Sequence, residues 1–179
     1  METYGLKGDA LAVAQLAIAK HPWTKVTSGK RTREEQADAM AANETKRKGW
    51  IAATYVDSGP KRAVLDALDM VKPRNRTVMY VAILGVLRLF SDDELRALTA
   101  HANGEAFDLQ PELRQVAAGE KLAPGAPVEV RPDGTRWTLT ERASLLAVTL
   151  QEQAIARGGR FLVVEGGLIR LHWQAARGR

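Results

Sequence analysis

The character of the sequence changes near residue 104, and this change is the strongest constraint on the fold. Before it, alanine-rich and amphipathic stretches predict helices at residues 9–20, 32–47, 48–56, 58–71, 76–89 and from 91 onward. After it, short β-branched stretches alternate with proline and glycine, which predicts strands and turns. We therefore expect an α+β fold in which a helical N-terminal half packs on a small antiparallel sheet.

Two of the predicted helices begin with a capping box. Thr32 is followed three positions later by Glu35, and Ser91 is followed at the same spacing by Glu94. In such a box the hydroxyl and the carboxylate each accept a hydrogen bond from a backbone N–H group that the first helical turn leaves without a partner. The spacing therefore predicts that helices start at these two positions.

In the second half of the chain, the sequence predicts strands at residues 105–109, 161–164 and 168–173 and a long helix at 140–157. In the first half, one short strand is expected at 24–28. The sequence E-G-G predicts a tight hairpin turn at Gly166 and Gly167, which in a regular ladder pairs His172 with Phe161. Residues 119–136 are rich in proline and glycine, and we expect an irregular insertion there with one short edge strand.

The composition indicates a single domain that spans residues 1–179, because 45% of the residues are hydrophobic and the chain is short for two cores. Glu2 and Asp9 flank the first apolar stretch, which is not the layout of a secretory signal. The longest apolar run, residues 78–90, contains Arg88 and is too short to cross a bilayer. We expect a protein made in the cytoplasm, without a signal peptide and without a membrane span.

The formal net charge of +5 favours an anionic partner, such as nucleic acid, a membrane surface or a bacterial wall polymer. No lysine and arginine tract interleaved with aromatic residues is present, so we expect no specific nucleic-acid partner. A basic nucleic-acid-binding protein stays open as an alternative, and it rests on the overall charge and on the basic segment 20–48.

Three potential metal ligands stand in short motifs that are far apart along the chain: His101, Asp108 and His172. The chain has no cysteine, so any metal must be held by imidazole and carboxylate groups. Both are zinc donors, and three protein ligands with a fourth position left open are typical of catalytic zinc. Asn103 and Gly104 tolerate a sharp turn that brings Asp108 back beside His101. The sequence therefore predicts a zinc site suited to metal-assisted hydrolysis.

Three segments also resemble the motifs of a known family. V-T-S-G-K-R-T-R-E-E-Q is similar to an S-G-Y-R motif followed by a helix with glutamine, T-A-H-A-N-G-E-A-F-D is similar to S-x-H-x-x-G-x-A-x-D, and R-L-H-W-Q is similar to a final histidine motif. These motifs belong to the zinc D-alanyl-D-alanine carboxypeptidases and the related phage endolysin peptidases. The resemblance spans about Val26 to Gln174. It implies a Hedgehog/DD-peptidase-like fold and a zinc metallopeptidase that cleaves peptidoglycan peptides in the cell wall, released by phage lysis or carried in the virion.

The resemblance also implies a role for individual residues. His101, Asp108 and His172 would bind the zinc ion. Arg31 would hold a substrate carboxylate or carbonyl, Gln36 would line the same cleft, and Thr99, which stands where the family usually has serine, would offer its hydroxyl to the substrate.

Two positions depart from the family pattern. Lys30 replaces the aromatic residue of S-G-Y-R, and Ile169 stands three positions before His172, where the family carries its acidic general base. The nearest acidic residue upstream is Glu165, our candidate for the catalytic base, although in a regular hairpin it lies roughly 13 Å from His172. The missing base leaves a non-catalytic wall-binding or virion structural protein as the alternative function.

Overall fold

The computed structural model describes residues 4–165 and 167–176. Its helices and small antiparallel sheets form an α+β fold, which confirms the predicted fold class. The chain divides into two compact units, one made of Met1–Gly29 and Glu105–Arg179 and the other of Lys30–Gly104. The expectation of a single domain over residues 1–179 stays a prediction.

The unit made of Met1–Gly29 and Glu105–Arg179 contains two long helices and two antiparallel sheets within its described residues. The helices are α1 (Gly8–Lys20) and α7 (Glu141–Ala156), and the strands are β1 (Val26–Ser28), β2 (Ala106–Leu109), β3 (Leu113–Gln115), β4 (Glu129–Val130), β5 (Arg136–Leu139), β6 (Arg160–Glu165) and β7 (Leu168–Gln174). The four-stranded sheet has the order β1-β2-β7-β6, and the three-stranded sheet has the order β3-β5-β4.

The core of this unit is formed by α1, α7 and one face of the four-stranded sheet. Alternate residues of the two central strands, Phe107 and Leu109 on β2 and Leu171 and Trp173 on β7, are buried in it. The rings of Phe107 and Trp173 stack with their centroids 5.7 Å apart. Because successive strand residues face opposite sides of a sheet, burial of this set fixes which side chains lie on the other face.

The β6–β7 hairpin differs from the prediction by one residue in register. Glu165 pairs with Leu168 as expected, but His172 pairs with Leu162 rather than with Phe161, which instead lies opposite Trp173. The ladder is irregular between Leu162 and Val164, where β7 contributes one more residue than β6. The prediction was wrong because it assumed a ladder without a β-bulge. Of the two predicted turn glycines, Gly167 has a left-handed φ of 80° and Gly166 lies outside the described residues.

The three-stranded sheet was predicted only in part. The short edge strand expected within residues 119–136 is β4, but β3 and β5 were not predicted. The strands of this sheet are two to four residues long. Such segments are too short to show the alternation from which strands are inferred.

Gly159 is required by the packing of this unit rather than by a helix cap alone. A Cβ atom at this position would lie 2.6 Å from the carbonyl oxygen of Gln174 and 3.0 Å from the Trp173 ring. The left-handed residue that follows α7 is its neighbour Gly158, with a φ of 62°. The predicted glycine pair therefore serves two purposes, a helix end and a close approach to β7.

The unit Lys30–Gly104 is helical throughout its regular elements. They are α2 (Arg33–Lys46), α3 (Trp50–Thr54), α4 (Gly59–Met70), α5 (Arg76–Leu87), α6 (Asp92–Leu98) and a 3-10 helix at Ala100–Asn103. The two predicted capping boxes are both present: Thr32 with Glu35 begins α2, and Ser91 with Glu94 begins α6.

No helix within residues 4–165 and 167–176 is long and apolar enough to cross a membrane.

Candidate metal centre

The two central strands of the four-stranded sheet place Asp108 and His172 side by side. The two residues are direct partners in the β2–β7 ladder, so their side chains lie on the same sheet face, opposite the core. The distance between Nδ1 of His172 and Oδ1 of Asp108 is 2.8 Å. As predicted, Asp108 and Phe107 lie on opposite faces of β2, and Phe107 is in the core.

His101 comes from the 3-10 helix that precedes β2. Its backbone N–H donates to Oγ1 of Thr99 at 3.3 Å, and its carbonyl oxygen accepts from the backbone N–H of Arg31 at 3.1 Å. Gly104 follows with a left-handed φ of 73°, which only glycine adopts without strain. Thr99 and Arg31 thus hold the His101 backbone from both sides, and Gly104 turns the chain directly into β2.

One potential ligand atom from each of His101, Asp108 and His172 lies within 4.8 Å of the other two. The three side chains are therefore close enough to hold a metal ion. His101 and His172 are buried, with exposed fractions of 3% and 6%. Two imidazoles and one carboxylate suit zinc and similar divalent cations of intermediate softness. The three residues predicted to bind a metal are thus close together.

The pKa of His172 reflects two opposed effects. Burial lowers it, whereas the hydrogen bond to Asp108 and the charge of that carboxylate raise it, with smaller contributions from Glu165 and Gln174. The net result is a pKa above the ordinary value for histidine. The negative charge of Asp108 that raises this pKa would also attract a metal cation.

The three predicted substrate-binding residues all line one cavity within the unit Lys30–Gly104. The cavity has a volume of about 370 Å³, and its lining includes Arg31, Gln36 and Thr99. Lys30 is also part of the lining, together with Asn103. Thr99 and Asn103 lie two positions on either side of His101 in the sequence.

Two amide atoms at this cavity lack hydrogen-bond partners within the described part of the chain. Gln36 is buried, and its Nε2 donates to the Tyr55 hydroxyl at 2.8 Å, while its Oε1 accepts no hydrogen bond. Nδ2 of Asn103 is likewise buried and donates to no acceptor. A buried polar group without a partner costs about 1–3 kcal/mol. An acceptor and a donor are therefore available for a polar ligand.

The burial of Ile169 explains why the position of the expected acidic base holds an apolar residue. Ile169, three positions before His172, is buried in the core together with Leu171 and Trp173, whereas His172 lies on the opposite face of β7 beside Asp108. An acidic side chain there would enter the core. Glu165, our candidate, is half-buried, and its charge contributes to the raised pKa of His172. A further carboxylate, Glu129 on β4, accepts a hydrogen bond from the backbone N–H of Ile169 at 3.0 Å.

Two polar residues beside the metal ligands were not predicted. Ser28 is the partner of Asp108 in the β1–β2 ladder, where an irregularity between Val26 and Ser28 moves Ser28 away from the core face. Its hydroxyl is buried and has no hydrogen-bond partner among the described residues. Gln174 lies two residues after His172, and its Oε1 is 3.3 Å from Nε2 of that ring. The period of two along β7 was the signal that could have identified Gln174.

Comparisons of the chain with protein-family models, with curated proteins and with solved structures find no match.

Proposed function

We propose that this protein is a zinc-dependent peptidase that hydrolyses peptide bonds of bacterial peptidoglycan, as a phage lysis enzyme or as part of a virion. The observation that carries the proposal is the convergence of His101, Asp108 and His172. Its support is that two buried imidazoles and one carboxylate match the composition of catalytic zinc sites. The family motifs in which these residues stand supply the substrate class. The net charge of +5 favours association with an anionic wall polymer.

The chemistry of the donor set fits zinc. His101 and His172 would contribute one ring nitrogen each, and Asp108 would contribute one carboxylate oxygen. A zinc ion held in this way supplies a Lewis acid that polarises an amide carbonyl and makes water more acidic. The sheet register keeps Asp108 and His172 as neighbours, so these two donors are arranged before any ion binds.

The substrate-binding roles fall to the residues of the cavity. Arg31 would hold a peptide carboxylate or carbonyl, since its planar guanidinium matches both groups. Gln36 Oε1 would accept a hydrogen bond from a peptide N–H, and the Thr99 hydroxyl lies in the same lining. A cavity of about 370 Å³ suits a short peptide segment rather than a folded protein.

Glu165 would carry the proton from the attacking water to the leaving amine. The support for this role is that the charge of Glu165 is one of the effects that raise the pKa of His172. We expect Glu165→Gln to lower the rate of hydrolysis by about 10²–10⁴-fold while leaving zinc affinity nearly unchanged. Glu152→Gln, an exposed substitution on α7, is the matched control. Equal rates for Glu165→Gln and the parent would remove Glu165 from the mechanism.

The decisive test is release of peptides from purified peptidoglycan sacculi. The zinc-loaded protein should reduce the turbidity of the suspension and release soluble fragments, and a chelator should stop both. His101→Ala should release nothing above background. His21→Ala is the control, because His21 contacts Thr149 and is not among the grouped metal ligands. Undiminished release by His101→Ala would contradict the metal mechanism.

The alternative is a non-catalytic protein that binds the wall or forms part of a virion. The observation that favours it is the burial of Ile169 at the position where the family carries its acidic base. This alternative predicts that the zinc-loaded protein sediments with sacculi but releases no fragment at any zinc concentration. Mass analysis of the supernatant distinguishes the two functions.

A further inference from the structure

The two ring nitrogens of His172 face two different side chains. Nδ1 lies 2.8 Å from Oδ1 of Asp108, and Nε2 lies 3.3 Å from Oε1 of Gln174. Both partners are oxygen acceptors, so whichever ring nitrogen carries a hydrogen faces an acceptor to which it can donate. Nδ1 thus points toward Asp108, another candidate metal ligand, and Nε2 points toward Gln174 on the same strand.

We propose that Gln174 is a positioning residue that accepts the Nε2–H of His172 and so leaves Nδ1 as the atom that binds the metal. The inference rests on the metal site of the proposed function. It concerns a residue that would act through His172, with which it shares a hydrogen bond.

Strand geometry gives Gln174 this position. Residues 172 and 174 are two apart on β7, so their side chains lie on the same face of the sheet. The β2 partner of Gln174 is Ala106, whose small side chain leaves space on that face. The opposite face of this part of the strand holds Trp173, which is fully buried. The backbone between His172 and Gln174 is therefore fixed by core packing.

The chemistry of the imidazole makes the choice of nitrogen sensitive to Gln174. A neutral ring has one N–H donor and one nitrogen lone pair, and only the lone pair binds a metal. With Oε1 of Gln174 fixed beside Nε2, that nitrogen keeps its hydrogen and Nδ1 keeps the lone pair. A ring turned over about its Cβ–Cγ bond would direct C–H groups at both Asp108 and Gln174, and both hydrogen bonds would be lost. Outer partners of this kind typically change metal affinity by 10–100-fold when removed.

The test measures the ring nitrogens directly. The protein is labelled with ¹⁵N-histidine, loaded with Zn²⁺ and observed by long-range ¹H–¹⁵N correlation, in which its three histidines give few signals. We expect His172 to show a zinc-bound Nδ1 and a protonated Nε2 whose hydrogen exchanges slowly with water. Zn²⁺ affinity is measured in parallel by competition with a chromophoric chelator.

Three variants separate positioning from a general structural role. Gln174→Met removes the acceptor and keeps the side-chain length; we expect fast exchange of the Nε2 hydrogen and an affinity lower by about 10–100-fold. Gln174→Glu restores an acceptor oxygen and should restore both the slow exchange of the Nε2 hydrogen and the parental Zn²⁺ affinity. Gln115→Met, the same change at an exposed position of β3, should change neither.

The outcomes distinguish this inference from the proposed function. Coordination of Zn²⁺ through Nε2 of His172, or a Gln174→Met protein with parental affinity and an unchanged Nε2 signal, would overturn the role of Gln174 and leave the metal site intact. Failure of the parent to bind Zn²⁺ would overturn the metal site and the inference together. Loss of affinity in Gln174→Met with recovery in Gln174→Glu supports the inference even if no peptidoglycan is cleaved.

Discussion

The two sheets of the unit Met1–Gly29 and Glu105–Arg179 are stabilised in different ways. The four-stranded sheet buries one face in a continuous core, and its opposite face carries Asp108 and His172. The three-stranded sheet is bordered by partly exposed charged pairs, such as Arg114 with Glu120, and by Arg131 stacked 3.8 Å above the Trp137 ring. Burial fixes the register of the first sheet, whereas solvent screens the charged pairs at the border of the second.

This difference explains where a metal site can form. Ligands must stay within a few tenths of an ångström of their positions, which requires strands whose register cannot slip. Phe107 and Trp173 provide that restraint directly behind Asp108 and His172. Exposed ion pairs are each worth about 0–1 kcal/mol and restrain a strand far less.

The sharpest test of the comparison replaces one tryptophan in each sheet. Trp173→Ala should lower the free energy of unfolding by about 3–5 kcal/mol, because a fully buried ring leaves a cavity in the core. Trp137→Ala should cost about 1 kcal/mol, since that ring is half-buried, lies below the Arg131 guanidinium and donates its Nε1–H to Thr135. Denaturant unfolding of the metal-free proteins measures both. Equal losses would mean that the two sheets do not differ as described.

The second prediction removes one of the three candidate metal ligands, which lies on the sheet with the buried face. His172→Ala should weaken Zn²⁺ binding by more than about 100-fold, which exceeds the loss expected for an outer partner. Isothermal titration of the metal-free protein with Zn²⁺ measures the change. His21→Ala should bind as the parent does, since His21 lies against Thr149 and Trp23. Parental affinity in His172→Ala would show that the cluster binds no zinc.

The sequence predicted those parts of the molecule that depend on local signals. The capping boxes at Thr32 and Ser91 and the alternation of Phe107 with Asp108 are each encoded within a few residues. The three clustered donors were also named from the sequence, because histidine and aspartate in spaced motifs are informative without knowledge of the fold. The turn after His101 was predicted from Asn103 and Gly104, and Gly104 has the left-handed φ.

Features that depend on pairing between distant segments could not be predicted in this way. The β6–β7 bulge moves His172 from Phe161 to Leu162, and no residue type in either strand marks it. The strands β3 and β5 are too short to show a period, and they pair only because residues 26 positions apart, Leu113 and Leu139, meet. Ser28 was missed for the same reason, since its position beside Asp108 requires an irregular β1.

Ser28→Ala tests whether the unpartnered hydroxyl beside Asp108 is a cost to the metal-free fold. A buried hydroxyl without a partner is unfavourable, so its removal should raise the free energy of unfolding by about 1 kcal/mol. The matched substitution Ser144→Ala, at an exposed serine of α7 whose hydroxyl donates to Thr140, should give no such increase. Thermal unfolding in the presence of chelator compares the two variants. A clear loss of stability in Ser28→Ala would mean that the hydroxyl is already satisfied.

The smallest effect is expected at the border of the three-stranded sheet. Hydrogen bonds from Arg114 and from the backbone of Ala117 lower the pKa of Glu120 from 4.5 to about 2. Because the folded-state pKa is depressed, the stabilisation from this carboxylate is fully present above its ordinary pKa and is lost as the pH falls through about 2. Glu120→Gln should therefore lower Tm slightly at neutral pH. As the pH falls to about 2, the Tm of the variant should become equal to that of the parent. Since the pair is exposed, high salt should remove most of the difference. A Tm difference that persists at acid pH would show that Glu120 acts through packing rather than through its charge.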